Sequence, residues 1–197
     1  VTNTTEWSYV NRLGHAMIDN VKIEIGGSKI DEQYGDWLNV WYELTHKQGQ
    51  ERGYDKMIGN VKDLTSMSKN KMGYQMYVPL QFWFNRNNGL ALPLIALQYH
   101  DVRVTMNFRK ALDCINWVGA TNAPPNVLPS MQDSYLLIDY IYLDSEERKK
   151  FAQASHEYLI EQLQFTGSES LSTNSKFRLN FNHPSKYLVW VPHLEKY

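Results

Sequence analysis

Six histidines, one cysteine and the pair Asp133-Ser134 are the residues of this chain whose types and spacing could do chemistry. The histidines are His15, His46, His100, His156, His183 and His193. No two of them stand as H-x-x-x-H or H-x-H, and no acid completes a zinc or cupin-like box, so metal chemistry is not expected. His183 before Pro184 reads as turn chemistry, and His100-Asp101 as a strand edge. Asp133 and Ser134 could join a histidine in a hydrolytic triad. No G-x-S-x-G elbow presents that serine, however, and sequence order alone does not make a triad. Gly26-Gly27 lacks the lysine and hydroxyl that a phosphate loop needs. Cys114 has no catalytic signature around it. The reading is a non-enzyme with no metal and no cofactor.

Composition narrows the class further. The 197 residues suit one large or two small domains. Hydrophobic residues are 43% and charged residues 21%, the balance of a folded protein rather than a disordered one. A formal net charge of -1 gives no field to draw nucleic acid or anionic lipid. The 13 tyrosines and 6 tryptophans suit half-buried sheets and protein interfaces. A single cysteine cannot close an intrachain disulfide and fits a reducing compartment, where the sequon Asn3-Thr4-Thr5 would stay unmodified. No apolar run reaches the ~18 residues of a spanning helix. The opening VTNTTEWSYV reads as a cut start rather than a natural one.

The elements follow from periodicity. From Val21 to Ile25 the period is two, and Gly26-Gly27 supplies a hairpin turn into Lys29-Ile30-Asp31. From Gly35 to Thr45 the apolar residues Trp37, Leu38, Trp41, Tyr42 and Leu44 fall at helical spacing, with Asp36 as the expected cap. Residues 46–74 read as a polar surface loop with a short helix near Tyr54 to Ile58, its methionines filling gaps beneath. Strands are expected at Tyr77–Leu80, Gln98–Phe108 and Tyr135–Leu143, the last in the core. Thr121–Pro129 is a rigid loop. Asp144 and Glu147 are spaced as a capping box for a helix from Ser145 to Gln153. A second strand series is expected at Tyr158–Phe165, Phe177–Phe181 and Tyr187–Val191.

One stretch dominates the chain. Phe82 to Val104 reads FWFNRNNGLALPLIALQYHDVRV. Three aromatics meet a polar knot, Asn85-Arg86-Asn87-Asn88-Gly89, in which Asn-Gly tolerates positive φ. Pro93 marks a strand entry or edge. The expected order is strand, tight turn, buried connection, strand, with Trp83 buried between Phe82 and Phe84. Many short strands with inserted helices argue for an all-β, antiparallel fold, a β-sandwich or jelly roll with long loops. A jelly-roll sugar-binding module is the alternative function, since exposed rings could stack on sugars. Trp37, Trp41, Trp83 and Trp190 lie in apolar periodic segments, which favours core positions over a sugar site.

Four blocks carry a specific resemblance: Val10–Ile25, Tyr34–Thr45, Pro79–Val104 and Leu159–Val191. Together they resemble the major capsid proteins of nucleocytoplasmic large DNA viruses. The resemblance implies two tandem eight-stranded jelly rolls in a chain well over twice this length. By it, 1–143 is most of a first jelly roll, 144–157 a linker helix and 158–197 the start of an incomplete second one. It also implies a homotrimer forming pseudo-hexagonal capsomers that tile an icosahedral shell assembled in the host cytoplasm. Neighbouring capsomers and minor capsid proteins would be its partners. Nucleic acid would not bind directly, and an inner viral membrane could lie beside the shell without insertion of this chain. The candidate structural or interface residues are Trp83, Arg86, Asn87, Trp37 and Trp41. For Arg86, a contact across a subunit interface and a bond to its own loop's carbonyls stand as equal alternatives.

Overall fold

A computed structural model describes residues 5–118, 124–126 and 128–192. The chain divides into two units, Val1–Gln162 and Leu163–Tyr197. Asn3 and Thr4 of the sequon, residues 121–123 of the expected rigid loop, and His193 lie outside the described residues.

The first unit is built on antiparallel pairs. Strand β1 (Glu6–Tyr9) pairs with β5 (Ile115–Val118), setting Trp7 opposite Trp117. Strand β2 (Ile18–Ile25) is central between β3 (Ser28–Tyr34) and β4 (Val102–Phe108). The β2–β3 hairpin turns where expected. Gly26 and Gly27 have φ of 58° and 79°, a pair that side chains disfavour and a two-residue hairpin requires. The Gly26 N–H donates to the Asp101 carbonyl at 3.0 Å, so the turn also fixes the entry to β4.

Alternation places Val21 and Ile23 on the covered face of β2, where both are fully buried. They form one core with Phe82 and Trp83, flanked by Ile30, Leu80, Phe84, Val102, Val104 and Ile160. A second core joins Leu13, Leu64 and Cys114, with Tyr9, Met17, Val61 and Met76 around it. Helix α1 (Leu13–Ala16) follows Arg12, the one non-glycine with positive φ among the described residues. Helix α2 (Gly35–Thr45) starts at the expected residue, but Asp36 sits in its first turn and does not cap it. Asp36 instead pairs with Arg109 at 3.2 Å. Leu38 and Tyr42, four apart, form the buried stripe, whereas Leu44 is exposed.

The polar loop carries helix α3 (Glu51–Met57), close to the expected position, and a further short helix α4 (Lys62–Thr65). Of its methionines only Met76 packs into a core, while Met57, Met67 and Met72 are exposed. The expected gap-filling role thus holds for Met76 and is corrected for Met57, Met67 and Met72.

The dominant stretch folds differently from expectation. Trp83–Arg86 is one helical turn, α5, instead of a strand. The Phe82 N–H donates to Asn85 Oδ1 at 3.1 Å and the Asn85 N–H to the Phe82 carbonyl at 3.0 Å, so the polar residue closes the turn locally. Asn88–Leu90 is a 3-10 turn made without positive φ at Gly89. The connection after Pro93 winds through successive turns with Leu94 and Tyr99 exposed, so it is not buried.

The strands expected at Tyr77–Leu80 and Tyr135–Leu143 are not formed, and Tyr135 to Ile138 and Tyr140 to Tyr142 are exposed. β propensity gives a segment the capacity to pair, but a strand exists only where a neighbour accepts its hydrogen bonds. No strand lies alongside 135–143 among the described residues. Helix α6 (Ser145–Gln153) carries the expected capping box. Asp144 Oδ1 accepts from the N–H groups of Glu146 and Glu147 at 2.9 and 2.8 Å.

The second unit contains no helix or strand among its described residues, so the expected series at Phe177–Phe181 and Tyr187–Val191 is likewise corrected. The same holds for Tyr158–Phe165. Gln164 Oε1 accepts from the Asn182 N–H at 2.8 Å and ties the His183-Pro184 turn back. Trp190 is 80% exposed, not a core residue.

Candidate assembly surface

Three of the five candidate residues meet at one place. Helix α2 places Trp37 and Trp41 one turn apart, with ring centroids 5.9 Å from each other. Both rings are only partly buried, because the stripe at Leu38 and Tyr42 takes the inward face. Helix α5 brings Arg86 over Trp41, its guanidinium carbon 4.6 Å from the ring centroid. Arg86 Nη2 pairs with Glu161 Oε2 at 3.1 Å, and Nε is buried with no partner among the described residues. Arg86 thus spends its charge on a ring and a distant carboxylate rather than on its own loop.

The other two candidates sit apart from this cluster in role. Trp83 is 5% exposed and packs edge-on against Phe84 with centroids 5.0 Å apart. Asn87 is exposed and its Oδ1 accepts from the Gly89 N–H at 2.9 Å, so it caps the 3-10 turn.

Beside Trp41 opens a cleft of about 160 Å³, lined by Trp41, Tyr42, Thr45, His46, Gln50, Tyr54 and Gln81. Its floor is an aromatic stack. Tyr42 and Tyr54 lie 4.3 Å apart at 17°, and Tyr42 stacks on His46 at 4.9 Å. Arg12 rests over Tyr42 at 4.9 Å and binds Asn39 and Glu43, both at 2.5 Å. The buried His15 ring contacts Tyr54, Nε2 to Oη, at 2.8 Å.

The electrostatics do not suit proton transfer near neutrality. Burial, and then Tyr42, push the Tyr54 hydroxyl up to about 12. Burial, and then the Arg12 charge, lower His15 to about 4. Burial also raises the Cys114 thiol, which keeps it protonated and a weak nucleophile. Among the described residues no three His, Cys, Asp or Glu side chains gather as a metal site, and no helix is long and apolar enough to cross a membrane. The geometry is that of a half-buried aromatic cluster beside a shallow cleft.

Sequence reasoning missed Arg12, His15, Tyr54 and Glu161. Glu161 had a signal, being the one charge in the apolar run YLIEQLQF. The others come together only through the packing of α1, α2 and α3, which no local spacing reveals.

Comparison with known proteins places this architecture. The family described as major capsid protein N-terminus matches residues 1–144, and that described as large eukaryotic DNA virus major capsid protein matches 147–197. Capsid protein 1 of Acanthamoeba polyphaga mimivirus is 49% identical over 98% of this chain and 34% of its own length. The major capsid protein of Pyramimonas orientalis virus is 48% identical over 95% of this chain and 44% of its own. A quasi-atomic structure of the PBCV-1 virus capsid superposes with a TM-score of 0.65 at 33% identity, over 93% of this chain and 44% of that one. The chain therefore spans less than half the length of these relatives. Its fold class is theirs, antiparallel β of the jelly-roll type with short inserted helices. The chain belongs to the major capsid protein family of large eukaryotic DNA viruses.

Proposed function

We propose that the protein is a structural subunit of an icosahedral virus shell, resident in the virion and without catalytic activity. The observation that carries this reading is the likeness to a virus capsid structure over 93% of the chain at 33% identity. The exposed apolar segment from Tyr135 to Tyr142 supports it, since patches of that kind mark surfaces that another chain segment or subunit covers. In this reading residues 1–143 belong to a first jelly roll, 144–157 link, and 158–197 enter a second. The remainder of a protein of the relatives' length supplies strands that pair with 135–143 and with 177–191. Three copies then form a capsomer, with neighbouring capsomers and minor capsid proteins at its rim and assembly in the host cytoplasm. Arg86, Trp37 and Trp41 lie on the half-buried surface open to such neighbours.

The test is electron microscopy of purified virions labelled with antibody to residues 145–153, with native mass spectrometry of the intact protein. Shell labelling and a trimer are expected. A stable monomer at micromolar concentration, or label absent from the shell, overturns the reading.

A further inference from the structure

We propose that the contact between His15 and Tyr54 is an acid-sensitive latch that holds helix α3 and its following turn against α1 and α2. The latch is built from three elements. His15 on α1 is 2% exposed, and its Nε2 lies 2.8 Å from Tyr54 Oη on α3. Its Nδ1 is buried with no hydrogen-bond partner among the described residues. A neutral imidazole tolerates this, with Nδ1 as an unprotonated lone pair. A protonated ring does not, because both nitrogens then carry N–H donors and Nδ1 has nothing to donate to.

The surroundings offer little relief: the Asn39 side chain favours the charged ring, but burial and the Arg12 charge outweigh it. From α1, Arg12 presents a second positive charge. From α2, Glu43 is already paired with Arg12, and the Asn39 oxygen accepts from Arg12 as well. Tyr42 and Tyr54 are neutral hydroxyls in this range, the second held so up to about 12. From the α3 segment, Asp55 holds the Asn60 amide at 2.9 Å, and Glu51 faces His46 at 3.8 Å. Two further hydrogen bonds accompany the latch: the Gly14 N–H donates to the Ile58 carbonyl at 2.8 Å and the Arg12 N–H to the Asn60 side-chain Oδ1 at 3.4 Å.

The direction follows from linkage. When α3 lifts away, His15 regains water and an ordinary value near 6.5, while in the closed form it titrates at about 4. Above 6.5 neither form is charged and the latch is at full strength. As pH falls from 6.5 toward 4 only the open form takes up the proton, so closure weakens across that window and no further below it. If the chain is a shell subunit as proposed above, the loop layer of the shell loosens in acid while its sheets persist.

Hydrogen exchange of the intact protein, read by mass spectrometry and corrected for intrinsic rates, tests the latch without reference to assembly. From about pH 7.5 to about pH 5, opening of residues 51–60 is expected to rise about 30-fold, with β2 and β4 unchanged. His15→Gln removes a titrating ring but keeps an N–H donor for Tyr54 Oη, and it should flatten the response. His46→Gln, the neighbouring histidine, should leave it intact. Should His15→Gln fail to fold, the native protein and His46→Gln still decide. Constant protection of 51–60 across this range overturns the latch. So does parallel opening of the sheet, or loss of the response in His46→Gln.

Discussion

Trp83 and Arg86 sit three residues apart in one helical turn yet contribute in different ways. Trp83 is buried in the core beneath β2, so Trp83→Ala empties a large packed site and should cost about 3–5 kcal/mol. Arg86 is held by one half-exposed ion pair and one ring face. Arg86→Ala should cost only about 1 kcal/mol, because screened pairs and exposed cation–π contacts are each worth little. Denaturant titration of the two variants checks both, and equal losses would contradict the assignment of Trp83 to the core. Gly35 is the third residue of consequence. A Cβ there would come within 2.2 Å of the His15 carbonyl oxygen and 2.3 Å of that of Ile18. Both obstacles are backbone, so Gly35→Ala must push α2 away from α1 and β2. A loss of several kcal/mol, near the upper range for overpacking, is expected. A thermal midpoint unchanged by Gly35→Ala would show that the backbone yields there.

At the scale of elements, what was legible in the sequence was whatever is decided locally. The Gly26-Gly27 hairpin and the Asp144 box each depend on a turn or cap within four residues and stand where the spacing put them, while α2 starts where its helical period begins, without the expected Asp36 cap. Asp144→Ala removes the acceptor for two N–H groups and should cost α6 about 1 kcal/mol, visible as lost helicity and faster amide exchange over 145–153. Unchanged exchange there would mean that the helix is held by something other than its cap. Elements decided at a distance were misread. Phe82-Trp83-Phe84 has the composition of a strand, but Asn85 closes a turn on Phe82 and the aromatics cover the sheet rather than join it. Tyr135–Leu143 has strand composition without a strand beside it. The pairing of β1 with β5 escaped notice because two four-residue strands over a hundred residues apart carry no local pattern. The candidate site divides the same way: Trp37 and Trp41 follow from helical period, while the placement of Arg86 over Trp41 required the tertiary fold.

The whole molecule carries an imbalance that points outward. Leu137, Ile141 and Tyr142 are 70%, 65% and 90% exposed, in a segment apolar on both of its alternating faces. A strand of that pattern belongs between two covering layers. Left in water, such surface is an aggregation hazard, so the proposed shell subunit must cover it with further strands or with another subunit. Ile141→Asp separates these possibilities from a segment that stays solvated. In residues 1–197 produced alone, the aspartate replaces a side chain already in water, and stability should change by no more than about 0.5 kcal/mol. In a protein of the relatives' length the same carboxylate would be buried without a partner, at a cost of several kcal/mol. Thermal unfolding of the short and long forms, with capsomer formation followed by native mass spectrometry, reads the difference. A long form that assembles normally with Ile141→Asp would mean that this face of the segment meets solvent in the shell.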